Sequence, residues 1–186
     1  LEHLTLQQHK KTCTTLLAEA AGRLWPYQGN FAIAELTTKL GVLTKDAFTF
    51  LREAQAIASS TKRSLIIYSD APHFSVGADL KHIISAAKEQ KWQDIDEYLK
   101  YGQETFDLLA TADLPCLTAV SGYALGGGCE LLLHSQGCQM HIDAKVGLVE
   151  TSLGLIPAFG GIKEVVRRSL FNRRLAPFAV ELCKNF

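Results

Sequence analysis

Three consecutive glycines, Gly126, Gly127 and Gly128, sit inside Ser121–Leu133 (SGYALGGGCELLL), between an apolar run and a leucine-rich segment. That pattern predicts a strand, a tight turn and a helix start. Glycine tolerates positive φ and lets a backbone approach a neighbour or ligand closely. A helix that begins there aims unpaired N–H groups and the positive end of its dipole at whatever lies above the turn. Glu130 falls one turn into that helix. The segment therefore suits a developing negative charge, with a carboxylate at hand for protons or water. It suits equally a close strand–helix packing turn with a first-turn acid that offsets the dipole, and spacing alone does not separate the two.

The turn is not a phosphate loop of a known type. A Walker loop ends in Gly-Lys-Ser/Thr, whereas Cys129-Glu130-Leu131 follows the glycines here, and Leu131 stands where a G-x-G-x-x-G fingerprint needs its last glycine. A neighbouring carboxylate would also repel phosphate. An oxyanion of lower charge, such as an enolate, is the better guest.

The flanking chain alternates strands and helices. Phe31–Thr37, Ser64–Tyr68, Cys116–Val120 and Cys138–Ile142 read as strands, the middle two with the uncharged character of buried parallel strands. Thr44 is a candidate N-cap for a helix over Lys45–Ala58. Helical patterns follow Leu80, recur at Tyr98–Leu109, and resume at Ile162–Leu170. The charged stretch Lys88–Asp96 reads as a solvated helix face. Residues 1–24, rich in Thr, Leu and Ala and punctuated by Gly22 and Pro26, read as a helix, giving an N-terminal lead-in over 1–29 ahead of a core over 30–186. His3 and His9 are expected on its surface. An α/β fold with a parallel sheet follows.

Composition narrows the function. With 186 residues, one main domain is expected, and a net charge of zero gives no global field for nucleic acid or an anionic membrane. No apolar run approaches the length of a membrane span and no secretory signal is visible. Five cysteines (Cys13, Cys116, Cys129, Cys138, Cys183) match no zinc spacing and point to a reducing, cytoplasmic setting. The six histidines form no metal set. Ser75 and Ser121 lack a nucleophile elbow. The basic run Lys163, Arg167, Arg168, Arg173 and Arg174 reads as a solvated face or partner contact, with ligand phosphate as the alternative. Glu150 ends an extended piece at Val146–Val149, ahead of a Gly/Pro loop. Brought beside Glu130, it would complete a carboxylate pair able to hold a water and exchange protons with it.

Three segments, His73–Leu80 (HFSVGADL), Ala119–Leu133 (AVSGYALGGGCELLL) and Gly147–Gly161 (GLVETSLGLIPAFGG), in this order and spacing, resemble the enoyl-CoA hydratase/isomerase, or crotonase, superfamily. The resemblance runs from about Asn30 to Arg174 and looks most like the hydratase domain of multifunctional 3-hydroxyacyl-CoA dehydrogenases. It implies a spiral of β-β-α repeats with two roughly perpendicular sheets. It implies an oxyanion hole from the N–H groups of Ala78 and Gly127, catalytic roles for Glu130 and Glu150, and an acyl-CoA-contacting segment at Ala78, Asp79, Leu80 and Lys81. Retention of both glutamates favours hydration of a trans-2-enoyl-CoA in fatty acid β-oxidation. The alternatives are a double-bond isomerase or a non-catalytic acyl-CoA-binding module.

The resemblance implies no cofactor in this domain beyond the coenzyme A of the substrate, NAD belonging to a dehydrogenase domain elsewhere in a longer protein. The implied partners are an acyl-CoA thioester and either further copies of the chain or an intramolecular dehydrogenase domain. Leu1 at the start, and Phe186 ahead of the family's C-terminal helical segment, read as a core truncated at its C-terminus. Two departures stand out. Gln136 replaces an Asp common in relatives, which would loosen local packing or be neutral, and Phe159 stands where small residues are usual.

Overall fold

The computed structural model describes residues 6–171. A short helix, α1 (Leu6–Thr12), precedes a hairpin of β1 (Leu17–Glu19) and β2 (Gly22–Tyr27), then β3 (Phe31–Leu36). Helix α2 (Lys45–Ser60), strand β4 (Ser64–Tyr68), helices α3 (Leu80–Lys88) and α4 (Trp92–Ala110), and strands β5 (Cys116–Val120) and β6 (Tyr123–Leu125) follow. Helix α5 (Gly127–His134), strands β7 (Gly137–Met140) and β8 (Lys145–Gly147), a 3-10 turn at Glu150–Leu153 and helix α6 (Gly161–Phe171) complete the described chain.

The larger sheet has the order β1-β2-β3-β4-β5-β7, and β6 pairs with β8 in a second, two-stranded sheet. From β3 onward the large sheet is parallel, but β1, β2 and β3 pair antiparallel. Among the described residues the helix expected across 1–24 is thus limited to α1, and β1 and β2 extend the sheet instead. Gly22, read as helix punctuation, is a packing site: a Cβ there would lie 2.2 Å from the ring of Phe50 on α2. Tertiary contact overrides the helix propensity of the Ala/Leu run. His9 is half-buried rather than exposed, its Nε2 lying 2.6 Å from the Pro26 carbonyl. His3, Arg173, Arg174 and Cys183 lie outside the described residues.

Helix α2 starts where expected, with the Thr44 side chain accepting a hydrogen bond from Ala47 N. Its buried face, Phe48, Phe50, Leu51 and Ala54, packs into one core with Leu65 and Ile67 of β4 and Phe106 of α4. The charged stretch Lys88–Asp96 is not one helix: α3 and α4 separate at Glu89–Lys91, where Gln90 has φ 56°. Gln136, far from loosening its surroundings, ties three segments. Its carbonyl oxygen accepts from Cys116 N, and its amide donates to the carbonyls of Leu109 and Ala110. Among the described residues no helix is long and apolar enough to cross a membrane.

Candidate active site

The glycine turn lies between β6 and α5. Gly126 takes φ 52° and ψ −125°, a conformation reserved in practice for glycine. A Cβ on Gly126 would also come within 3.1 Å of Glu150 Oε1. The Gly126 carbonyl accepts from Glu130 N at 2.9 Å, so the Gly127 N–H, trans across the same planar peptide, points away from the helix. It is one of the first-turn donors that a helix cannot pair internally.

The His73–Leu80 segment is stitched against this turn. Ser75 N donates to Tyr123 O, Leu125 N donates to Ser75 O, and the Ser75 hydroxyl donates to Gly41 O and accepts from Gly77 N. Gly77, with φ 100°, would place a Cβ 2.8 Å from Leu125 O and 3.0 Å from Gly127 N, so no side chain fits between the two loops. Ala78 is therefore held beside Gly127. Among the described residues neither N–H has a hydrogen-bond acceptor. Asp79 caps α3 by accepting from His82 N at 3.1 Å.

Glu130 is 1% exposed. Its Oε1 accepts from Phe159 N at 2.9 Å and from Gly161 N at 2.8 Å. Burial, aided by the charge of Glu150 and opposed by those two N–H groups, pushes its pKa up to about 7. At neutral pH the carboxyl is therefore populated in both forms, as a group that must give or take a proton needs. Glu150 heads the 3-10 turn; burial raises its pKa too, and its Oε2 is buried without a hydrogen-bond partner. Glu150 thus lies against Gly126, near enough for its charge to act on Glu130.

An open groove of about 630 Å³ reaches the surface from Ala78, lined in part by Leu40, Val42, Thr44, Asp79, Leu80 and Lys81. Its wall includes Ala20 and Ala21 from the β1–β2 turn, a stretch to which the sequence assigned no chemistry. The glutamates do not line this groove. Of the sequence-predicted set, Ala78, Gly127, Glu130 and Glu150 gather at the turn, while Asp79, Leu80 and Lys81 extend along the groove.

Sequence reasoning missed three contributors. The N–H groups of Phe159 and Gly161 hold Glu130 from 29 and 31 residues away, and Tyr98 hydrogen-bonds the backbone of Asp79. Phe159, the bulky departure in its loop, is 2% exposed and its ring packs among Phe48, Tyr98 and Phe106 at centroid separations of 5.4–5.9 Å. Its ring also fills the space beside Gly127, where a Cβ would lie 3.1 Å from it. His134 is structural: buried, its Nδ1–H donates to the Glu130 carbonyl at 2.8 Å. The described members of the basic run are paired within the chain, Lys163 with Asp107, Arg167 with Glu164, and Arg168 with the Leu133 and Ser135 carbonyls at the end of α5. Among the described residues no His/Cys/Asp/Glu group could hold a metal ion.

A Rickettsia felis protein named as a fatty acid oxidation complex trifunctional enzyme is 38% identical over 154 residues, covering 83% of this chain and 21% of that protein. The chain spans about a fifth of the length of the curated relatives it matches. Among solved structures, an enoyl-CoA hydratase of Polaromonas sp. JS666 superposes with a TM-score of 0.77 at 22% identity, over 89% of this chain and 63% of that one. A Thermobifida fusca protein described as an enoyl-CoA hydratase in complex with acetoacetyl-CoA gives a TM-score of 0.69 at 26% identity, over 88% and 66% of the two chains. The crotonase-like α/β fold expected from the sequence is the fold they share. Residues 43–185 match the enoyl-CoA hydratase/isomerase family, and the chain belongs to that family.

Proposed function

We propose that this chain is an enoyl-CoA hydratase domain that adds water across the double bond of a trans-2-enoyl-CoA, giving 3-hydroxyacyl-CoA in fatty acid β-oxidation. The observation that carries the reading is the placement of the buried Glu130 carboxyl and the half-buried Glu150 carboxyl, its Oε2 without a hydrogen-bond partner, at a turn beside two N–H groups without acceptors. The thioester oxygen accepts from Ala78 N–H and Gly127 N–H. These bonds strengthen as enolate charge develops, so they favour the transition state over the substrate. Loss of one such donor typically costs about 3 kcal/mol of barrier.

Water sits between the carboxyls. One carboxylate takes a proton from it as the oxygen bonds to C3, and the other carboxyl delivers a proton to C2 of the enolate. The net change is addition of one water, with both side chains returned to their starting protonation by exchange. The groove past Asp79, Leu80 and Lys81 accommodates the coenzyme A portion. No cofactor beyond that portion takes part; NAD enters only through a dehydrogenase segment of a longer protein. Such a segment, or further copies of this chain, are the partners. The free thiols of Cys13, Cys116 and Cys138 support a reducing, cytoplasmic setting.

The test is to mix the purified chain with a trans-2-enoyl-CoA, follow the conjugated thioester absorbance, and identify the product by mass spectrometry. Loss of absorbance with 3-hydroxyacyl-CoA formed is the expected result. A shifted double bond without hydration would make the chain an isomerase, and saturable binding without turnover would make it a binding module; either overturns the proposal.

A further inference from the structure

Tyr98 lies on α4, away from every motif in the sequence, and is 3% exposed. Its ring packs against Phe48 and Phe159, which accounts for its burial but not for its hydroxyl. That hydroxyl has one proton and uses it on the Leu43 carbonyl, at 2.5 Å. It accepts in turn from Asp79 N at 2.9 Å. Leu43 N donates to Gly77 O at 2.9 Å. Leu43 therefore grips the His73–Leu80 segment twice, directly at Gly77 and through Tyr98 at Asp79.

These bonds fix two successive peptide planes around Ala78. In the Gly77–Ala78 peptide the carbonyl points at Leu43 N, so the Ala78 N–H, trans to it, points the opposite way. In the Ala78–Asp79 peptide the N–H points at the Tyr98 hydroxyl, and the Ala78 carbonyl turns away to accept from Leu80 N at 2.9 Å. With Tyr98 occupying Asp79 N–H, the Ala78 N–H is the donor of this pair left over for a ligand. Rotating it out of place requires breaking the Leu43 bond, the Tyr98 bond, or both.

We infer that Tyr98 is a positioning residue, acting through Asp79 and Leu43 to hold the Ala78 N–H in place as a donor to the thioester oxygen. The inference rests on the acyl-CoA thioester reading of this site. Removing the hydroxyl loosens one of the two grips while leaving the aromatic packing, so it weakens polarisation of the bound carbonyl more than it weakens binding. Misplacement of a reacting group by about 1 Å typically costs on the order of a hundredfold in rate.

The experiment compares the wild-type chain, Tyr98→Phe, and Tyr101→Phe, which removes another α4 hydroxyl that lies 3.2 Å from Thr49 Oγ1. A dienoyl-CoA thioester is the probe, because its absorption moves to longer wavelength when its carbonyl is polarised. In the wild type and in Tyr101→Phe the bound probe is expected to show the full shift. In Tyr98→Phe it is expected to bind with a Kd within about threefold of wild type, with a clearly smaller shift and a kcat on trans-2-enoyl-CoA lower by about tenfold to a hundredfold. A full shift and wild-type turnover in Tyr98→Phe overturn the inference. A wild-type chain that leaves the probe spectrum unmoved overturns the thioester reading itself, and the positioning role with it.

Amide hydrogen exchange of the wild-type chain tests the same contact without a variant. Asp79 N–H should be protected in the free chain, and Ala78 N–H should gain protection only when the thioester is bound. An Asp79 amide that exchanges as fast as Ala78 in the free chain contradicts the clamp.

Discussion

Replacing Glu130 by Gln removes a titrating group from the interior while keeping a carbonyl oxygen for the Phe159 and Gly161 N–H groups. In the folded chain the Glu130 pKa is about 7, against an ordinary value of 4.5. The folded state therefore binds this proton more tightly than the unfolded state. The stability it confers is fully present below about pH 4.5 and is lost as pH rises through about 7. The difference in pKa corresponds to about 3 kcal/mol over the whole interval. Between about pH 5 and pH 8 the wild-type chain should lose roughly 2–3 kcal/mol relative to Glu130→Gln.

Urea unfolding followed by tryptophan fluorescence measures this directly. Trp25 is a suitable reporter, since its indole N–H donates to Glu35 Oε2 at 2.9 Å in the folded chain. The two proteins should converge in stability toward acid pH and diverge toward alkaline pH, with the variant the more stable. The Glu150 carboxyl is common to both proteins and largely cancels in the difference. Curves that stay parallel from pH 5 to pH 8 would show that Glu130 titrates near its ordinary value, and would remove the physical basis for its proposed role as a proton carrier at neutral pH.

Other consequences follow from the packing. Gln136→Leu deprives Cys116 N and the Leu109 and Ala110 carbonyls of their partner, and should cost about 1–3 kcal/mol in urea unfolding; a variant as stable as wild type would show that the contact carries no weight. Gly77→Ala forces a side chain into a φ of 100° and against Leu125 O, and should cost about 1–3 kcal/mol of stability together with a loss of dienoyl-CoA spectral shift; full retention of both would contradict the close approach of the two loops. Thr44→Ala removes the N-cap of α2 and should lower stability by about 1 kcal/mol by urea unfolding, with no change in the denaturant slope.

The parts of the fold that could be read from the residues are those dictated locally. Thr44 before a run of helix formers, the uncharged β-rich stretches at Ser64–Tyr68 and Cys116–Val120, and the glycines ahead of α5 each carry their own signal, and each element lies where that signal put it. The N-terminal hairpin carries the opposite local signal. Its Ala/Leu run favours a helix, and only the fit of Gly22 against Phe50 and pairing with β3 make it a strand. The break between α3 and α4 at Gln90 leaves no glycine or proline to mark it. At the site, the glycine turn and the two glutamates were visible as residue types. What makes Glu130 unusual, two N–H groups from the Phe159–Gly161 loop meeting a buried carboxyl, depends on chain crossings that no spacing encodes. The same is true of Tyr98, an ordinary helix aromatic until its hydroxyl is seen to reach Asp79 N.

In the proposed mechanism, two carboxyls hold a water beside a thioester held by Ala78 and Gly127. Turnover of a trans-2-enoyl-CoA in heavy-oxygen water, with the product analysed by mass spectrometry, tests it most directly. The wild-type chain should place the label in a 3-hydroxyl group, and Glu130→Gln and Glu150→Gln should each bind the thioester yet lose about a hundredfold or more in rate. Wild-type rates of labelling in both variants, or a product without label, would contradict it.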